Sequence, residues 1–165
     1  MSIPQLVYSH SELEKLGDKE LGPVVKNIKY CPEFLDNNGF VLSTRAFHLF
    51  KAAGEITDEL RDQILETYDK LPTHDAWVKV VGYVFLESDS NYLIEKYIKF
   101  AQGETSVVKV IRDLYNSVLH NGKCISVDVQ YLNNVITSGY AIFNGNFTEV
   151  FAVPGYWNEE LSHAC

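Results

Sequence analysis

The sequence predicts an α+β fold, with a helix-rich N-terminal two-thirds packed against a small C-terminal antiparallel sheet of about three strands. Three observations lead to that class. Before residue 120, apolar residues recur mainly at helical spacing. After Gly122 the period falls to two. The chain has 165 residues, of which 46% are hydrophobic and 22% charged, so it can bury its own core without staples. Residues 1–165 therefore read as a single globular domain.

Residues 1–11 read as an extended lead-in. Ser11, with Glu14 three residues on, is a capping-box signature for a first helix. Gly22-Pro23 interrupts it, and Pro at a first helical position lets a second short helix begin. Residues 31–39, CPEFLDNNG, form a loop with Asn-Asn-Gly as its turn signal. Ser43 caps the next helix, with Leu42 and Phe47 placed as a hydrophobic staple. Ala46, Phe47, Leu49, Phe50 and Ala53 form its apolar side, and Gly54 ends it. Thr57 opens another helix, with Leu60, Ile64, Leu65, Tyr68 and Leu71 on one face and Pro72 as its stop.

Residues 75–86 read two ways. Four valines and Gly82 argue for a strand. Trp77, Val80, Val81, Val84 and Phe85 recur at helical spacing, with Thr73 as a cap, and periodicity outranks propensity. Helix is the preferred reading. Ser90 caps a further helix with Leu93, Ile94, Tyr97, Ile98 and Ala101 inward, closed by Gly103. Thr105 or Ser106 caps the next, with Val107, Val108, Ile111, Leu114, Tyr115 and Val118 inward. Then Ile125, Val127 and Val129 alternate with Ser126, Asp128 and Gln130, the pattern of a half-buried strand. Residues 135–143 and 147–153 meet across Asn144-Gly145-Asn146 as a hairpin. Pro154-Gly155 ends the sheet, and residues 156–165 form a short helix or a frayed tail.

The formal charge of −8 disfavours direct nucleic-acid binding and binding to anionic lipid, and the basic residues form no cluster. Cys31, Cys124 and Cys165 make an odd number with no C-x-x-C, so free thiols and a cytoplasmic setting are expected. The N-terminus has neither the basic nor the apolar region of a signal peptide. The longest apolar run, residues 80–86, is too short to span a bilayer, so no membrane association is expected. Lys outnumbers Arg by eleven to three, and Asn, Ile, Tyr and Phe are frequent, a bias of AT-rich coding such as that of a bacteriophage or a low-GC bacterium.

Four constellations carry candidate chemistry. On the helix after Thr57, Glu59, Asp62, Glu66 and Asp69 are spaced 3, 4 and 3 apart and share one face. Like charges so placed repel, and Asp69 sits near the negative end of the helix dipole. Such a stripe suits docking of a protein with a basic surface, against the plain alternative of a solvated face. Second, His48, His74, Asp75 and Asp113 offer imidazole and carboxylate donors for a divalent metal that would acidify a water. Their order resembles the H…HD…D pattern of the HD phosphohydrolase superfamily, whose members are helical. The resemblance covers these four residues only, and implies phosphoester hydrolysis. The plain alternative is a polar helix start after Pro72.

Third, Cys124 with His120 is a nucleophile-and-base pairing, although Asn121-Gly122 turns the chain between them. The plain alternative is a small hydrophobe opening a strand. Fourth, Tyr140, Phe143, Phe147 and Phe151 could line a strand edge for a partner, or pack beneath the helices. No phosphate-binding glycine loop, nucleophile elbow, metalloprotease motif or EF-hand loop occurs. The expected function is a non-enzymatic, protein-binding regulator or inhibitor acting through an acidic, Tyr-rich surface, with no cofactor. A metal-dependent phosphohydrolase and a small-ligand binding domain are the alternatives.

Overall fold

The computed structural model describes residues 4–30, 38–119, 122–132 and 137–154. They fall into two compact units, Met1–Tyr131 and Leu132–Cys165.

The first unit is built on a five-stranded antiparallel sheet. Its elements are β1 (Val7–Ser9), a 3-10 helix (His10–Lys15), α1 (Asp18–Tyr30), β2 (Gly39–Leu42), α2 (Thr44–Ala53), α3 (Asp58–Asp69), β3 (Trp77–Leu86), β4 (Asp89–Gln102), α4 (Glu104–Val118) and β5 (Lys123–Tyr131). The strand order is β1-β2-β5-β3-β4. The second unit carries a hairpin, β6 (Thr137–Asn144) with β7 (Phe147–Pro154), turning at Gly145 with φ 48°.

The helix-rich expectation is overturned. The structure is 41% helix and 39% strand, with the five-stranded sheet in the first unit and a two-stranded sheet in the second. The difference lies chiefly in residues 77–102, expected as two helices and found as the paired strands β3 and β4. The cause is burial on both sheet faces. Val78, Val80 and Val84 join the core under α2, α3 and α4, while Val81 and Tyr83 join the core under the 3-10 helix and α1. A strand sandwiched this way is apolar on both sides, so no period of two survives to be read. Propensity then decides, and valine favours the pleated strand. The loop joining β3 to β4 is Glu87-Ser88, which lacks the Asn-Gly or Gly signature of a tight hairpin.

The same burial corrects β5. Ser126 and Asp128, expected on a polar face, are buried at 0% and 1% exposure. β1 lies within the extended lead-in expected over residues 1–11, and β2 begins at Gly39, where the expected loop ends, and covers residues 40–42, for which no strand was expected.

The other helices follow their sequence signals in part: the capping box is Ser9 with Glu12 on a 3-10 helix rather than Ser11 with Glu14, α4 starts after Gly103 rather than after Thr105 or Ser106, and Ser43 stands at the start of α2 without a side-chain capping bond. Thr57 caps α3, its Oγ1 accepting from the Leu60 amide at 3.3 Å. Gly54 closes α2 in the left-handed region at φ 79°. The break at Gly22-Pro23 is a kink within α1, with Gly22 at φ 74°. Glycine is required there twice over, because a Cβ would also lie 2.5 Å from the Phe85 ring. Among the described residues, no helix is long and apolar enough to cross a membrane.

Candidate functional site

The acidic stripe lies on the outer side of α3. Leu60, Ile64 and Tyr68 are buried and anchor the helix to the core. Glu59, Asp62, Glu66 and Asp69 are all exposed. The Lys70 ammonium lies 3.1 Å from Glu66 Oε1, and Arg61 lies 3.5 Å from Asp58. Among the described residues Glu59, Asp62 and Asp69 make no ion pair. Three like-charge neighbours therefore stand on one face with a single Lys to offset them. Asp69 ends the helix, where its charge opposes the dipole.

The pairing of Cys124 with His120 cannot be followed, because His120 lies outside the described residues. Cys124 instead meets His48 of α2, with Sγ 3.7 Å from Nε2. Glu87 Oε1 lies 3.6 Å from the same Nε2 and 3.1 Å from Lys51 Nζ. An imidazole that activates a thiol uses one nitrogen as base and is oriented through the other. Here thiol and carboxylate compete for one nitrogen. Burial pushes the Cys124 thiol up to about 12, and nearby Glu87 adds to the rise. A nucleophilic cysteine needs the opposite shift. This cysteine is a packed thiol in the core.

The remaining donors of the H…HD…D set stand on other elements. His74 and Asp75 are exposed in the turn before β3, 3.9 Å apart. They line an open cleft of about 560 Å³ with Gln102, Gly103, Glu104, Thr105, Ser106 and Lys109. Asp113 lies on α4 in a separate depression, with Tyr97, Lys99, Val110, Leu114 and Ser117. Among the described residues, no three His, Cys, Asp or Glu side chains converge in a way that could hold a metal ion.

Sequence reasoning missed a buried polar cluster. His10 Nε2 lies 2.6 Å from Asp128 Oδ1, with the residues only 5% and 1% exposed. The Gln130 amide donates to Asp128 Oδ2, also at 2.6 Å. Gly39 makes room for the ring, since a Cβ there would lie 2.5 Å from His10 Cε1. Tyr83 sits nearby on the adjacent strand; burial chiefly, then the Asp128 charge, pushes its hydroxyl up to about 12. The pair joins the 3-10 helix to β5 across 118 positions. No local pattern connects residues that far apart.

On the hairpin, Tyr140 and Phe151 stack at 5.0 Å with an interplanar angle of 24°. Phe143, Phe147 and Val150 are exposed, at 77%, 56% and 68%.

No protein-family model and no curated protein matches this chain.

Proposed function

We propose that this protein is a non-enzymatic binding domain that docks a protein with a basic surface through α3, acting as a regulator or inhibitor in the cytoplasm. The observation that supports this reading is the solvent-facing stripe of Glu59, Asp62, Glu66 and Asp69, which the fold does not use. The core needs only the opposite face of α3, and helix stability alone would select against three neighbouring like-charge pairs. Complementary charge of this kind speeds association and makes it sensitive to salt. Tyr30 and Tyr92 of the first unit are exposed as well, amphipathic residues of a type common at interfaces. A charge of −8 turns the same surface away from nucleic acid. The reduced cytoplasm suits Cys124, a free buried thiol.

The test replaces all four carboxylates by Gln. Partners retained by the wild-type protein and lost by the variant are identified by mass spectrometry, and association is followed by stopped flow at two salt concentrations. The variant should associate about tenfold more slowly and with a flatter salt dependence. Its fold should be unharmed. Removing three like-charge pairs at about 0.2–0.5 kcal/mol each outweighs losing the Glu66–Lys70 pair at about 0.3–0.5 kcal/mol. Unchanged association kinetics would refute the docking role, and a loss above about 1 kcal/mol would make the stripe structural.

A further inference from the structure

Three Asn-Gly steps occur in the chain, at residues 38–39, 121–122 and 144–145. Such a step is reactive in itself. The glycine amide nitrogen attacks the asparagine Cγ, and no Cβ on the glycine stands in the way. Attack requires the asparagine main chain to turn until that nitrogen faces its own side chain. The fold decides which step is free to do so. Asn121 lies outside the described residues.

Asn38-Gly39 is held. Gly39 is buried at the start of β2 and pairs with Gln130 of β5. The Asn38 carbonyl accepts from the Tyr131 amide at 2.9 Å. The Val129 carbonyl oxygen and the His10 ring crowd the place where a Gly39 Cβ would stand. This peptide turns only if the start of β2 leaves β5. Asn144-Gly145 is placed differently. β6 ends at Asn144 and β7 begins at Phe147, so Gly145 stands beyond the ladder. Both residues of the step are exposed, and among the described residues nothing lies within 4 Å of a Cβ built on Gly145. Gly145, at φ 48°, takes the first position of a two-residue loop, as in a type II′ turn. Loop tips of this kind are the least constrained parts of a chain.

We propose that Asn144 is a deamidation site, at which the chain and water alone turn the amide into a carboxylate and loosen the hairpin. The Gly145 nitrogen bonds to Asn144 Cγ and the Cγ–Nδ2 bond breaks. Ammonia leaves, carrying the proton that the Gly145 nitrogen gives up. Water then opens the five-membered succinimide at either carbonyl, yielding aspartate or isoaspartate. One water is consumed and one ammonia released, with nothing oxidised or reduced. In isoaspartate the main chain runs through Cβ and is one atom longer. A two-residue loop sets the hairpin register by its geometry, and the added atom breaks that match. Either product also puts a carboxylate on the face of Glu149, its diagonal neighbour across the Asn144–Phe147 pair. The sheet carrying this turn has two strands, a size with little reserve of its own.

The test ages the full-length protein for days at mildly alkaline pH and reads each Asn-Gly peptide by mass spectrometry, with fragmentation to distinguish isoaspartate. Asn144 should gain the mass of an amino-to-hydroxyl exchange. Asn38 should convert at least about tenfold more slowly, because its reaction waits for β2 to open. In guanidinium chloride the two should convert at similar rates. Hydrogen exchange in the aged protein should quicken across β6 and β7. Asn144→Gln, whose longer side chain does not close the five-membered ring, should age without that change. Equal conversion of Asn38 and Asn144 in the folded protein would overturn the proposal. So would an Asn144 that reacts only in guanidinium chloride, or a quickened exchange that appears equally in aged Asn144→Gln.

Discussion

Truncating His10 to Ala should cost about 1–3 kcal/mol, the penalty for leaving a buried hydrogen-bonding group without its partner. The magnitude follows from what Asp128 would be left with. Among the described residues its Oδ1 meets His10, at 2.6 Å, while Oδ2 keeps the Gln130 amide. At 1% exposure no water is at hand to replace the imidazole. Asp128→Asn is the contrasting perturbation. It keeps the shape and an oxygen that accepts from His10, and exchanges a charge-assisted bond for a neutral one, at about 1–1.5 kcal/mol. Removing both side chains should cost less than the sum of the two single Ala variants by about 0.5–3 kcal/mol, because the second truncation deletes the orphaned group. Urea denaturation at neutral pH measures all four variants. A His10→Ala midpoint close to wild type, or strict additivity in the cycle, would refute the claim that this pair pins the 3-10 helix to β5.

Three further outcomes follow from two buried groups. Cys124 should resist a thiol reagent in the folded protein at neutral pH and react only on unfolding, since its thiol is pushed up to about 12. Because the folded value is raised, the stabilisation is fully present below the unfolded pKa; denaturation midpoints should fall as pH rises from about 9 towards about 12. Tyr115→Phe should leave stability unchanged or raise it by about 1 kcal/mol. The Tyr115 ring is fully buried and its hydroxyl has no hydrogen-bond partner among the described residues, so the change deletes an uncompensated polar atom and keeps the ring contacts with Phe47 and Phe50. Equilibrium denaturation checks it, and a loss above about 1 kcal/mol would mean the hydroxyl is bonded in solution.

What was legible in the sequence divides along a physical line. Elements with one buried face announce themselves: α3 shows a clear apolar stripe, a Thr cap and Pro72 downstream, and the hairpin shows its Asn-Gly turn. Elements with two buried faces do not. Trp77, Val80, Val81, Val84 and Phe85 fit a helical template because nearly every position of β3 is apolar. β4 misled for a related reason. Tyr97 and Ala101 serve one core while Ile98 serves the other, and together they mimic a helical repeat. In both segments the density of β-branched and aromatic residues was the better guide, whereas length, 10 and 14 residues, pointed to helix.

Candidate sites divide in the same way, by the distance over which their members act. The carboxylates of α3 lie within one helix, so their spacing alone places them on one face, and they are exposed together. His48, His74, Asp75 and Asp113 depended on tertiary convergence, which spacing cannot supply; His48 stands instead beside Cys124, 76 positions away. The His10–Asp128 pair lay hidden because Asp128 looked like the polar half of an alternating strand. A carboxylate on a strand is ordinarily a solvent-side residue. Had the strand been recognised as covered on both faces, a buried Asp would have required a partner, and the short list of histidines would have been the place to look. The order of inference thus matters: the number of covered sheet faces has to be settled before any polar residue on a strand is assigned to solvent or to a site.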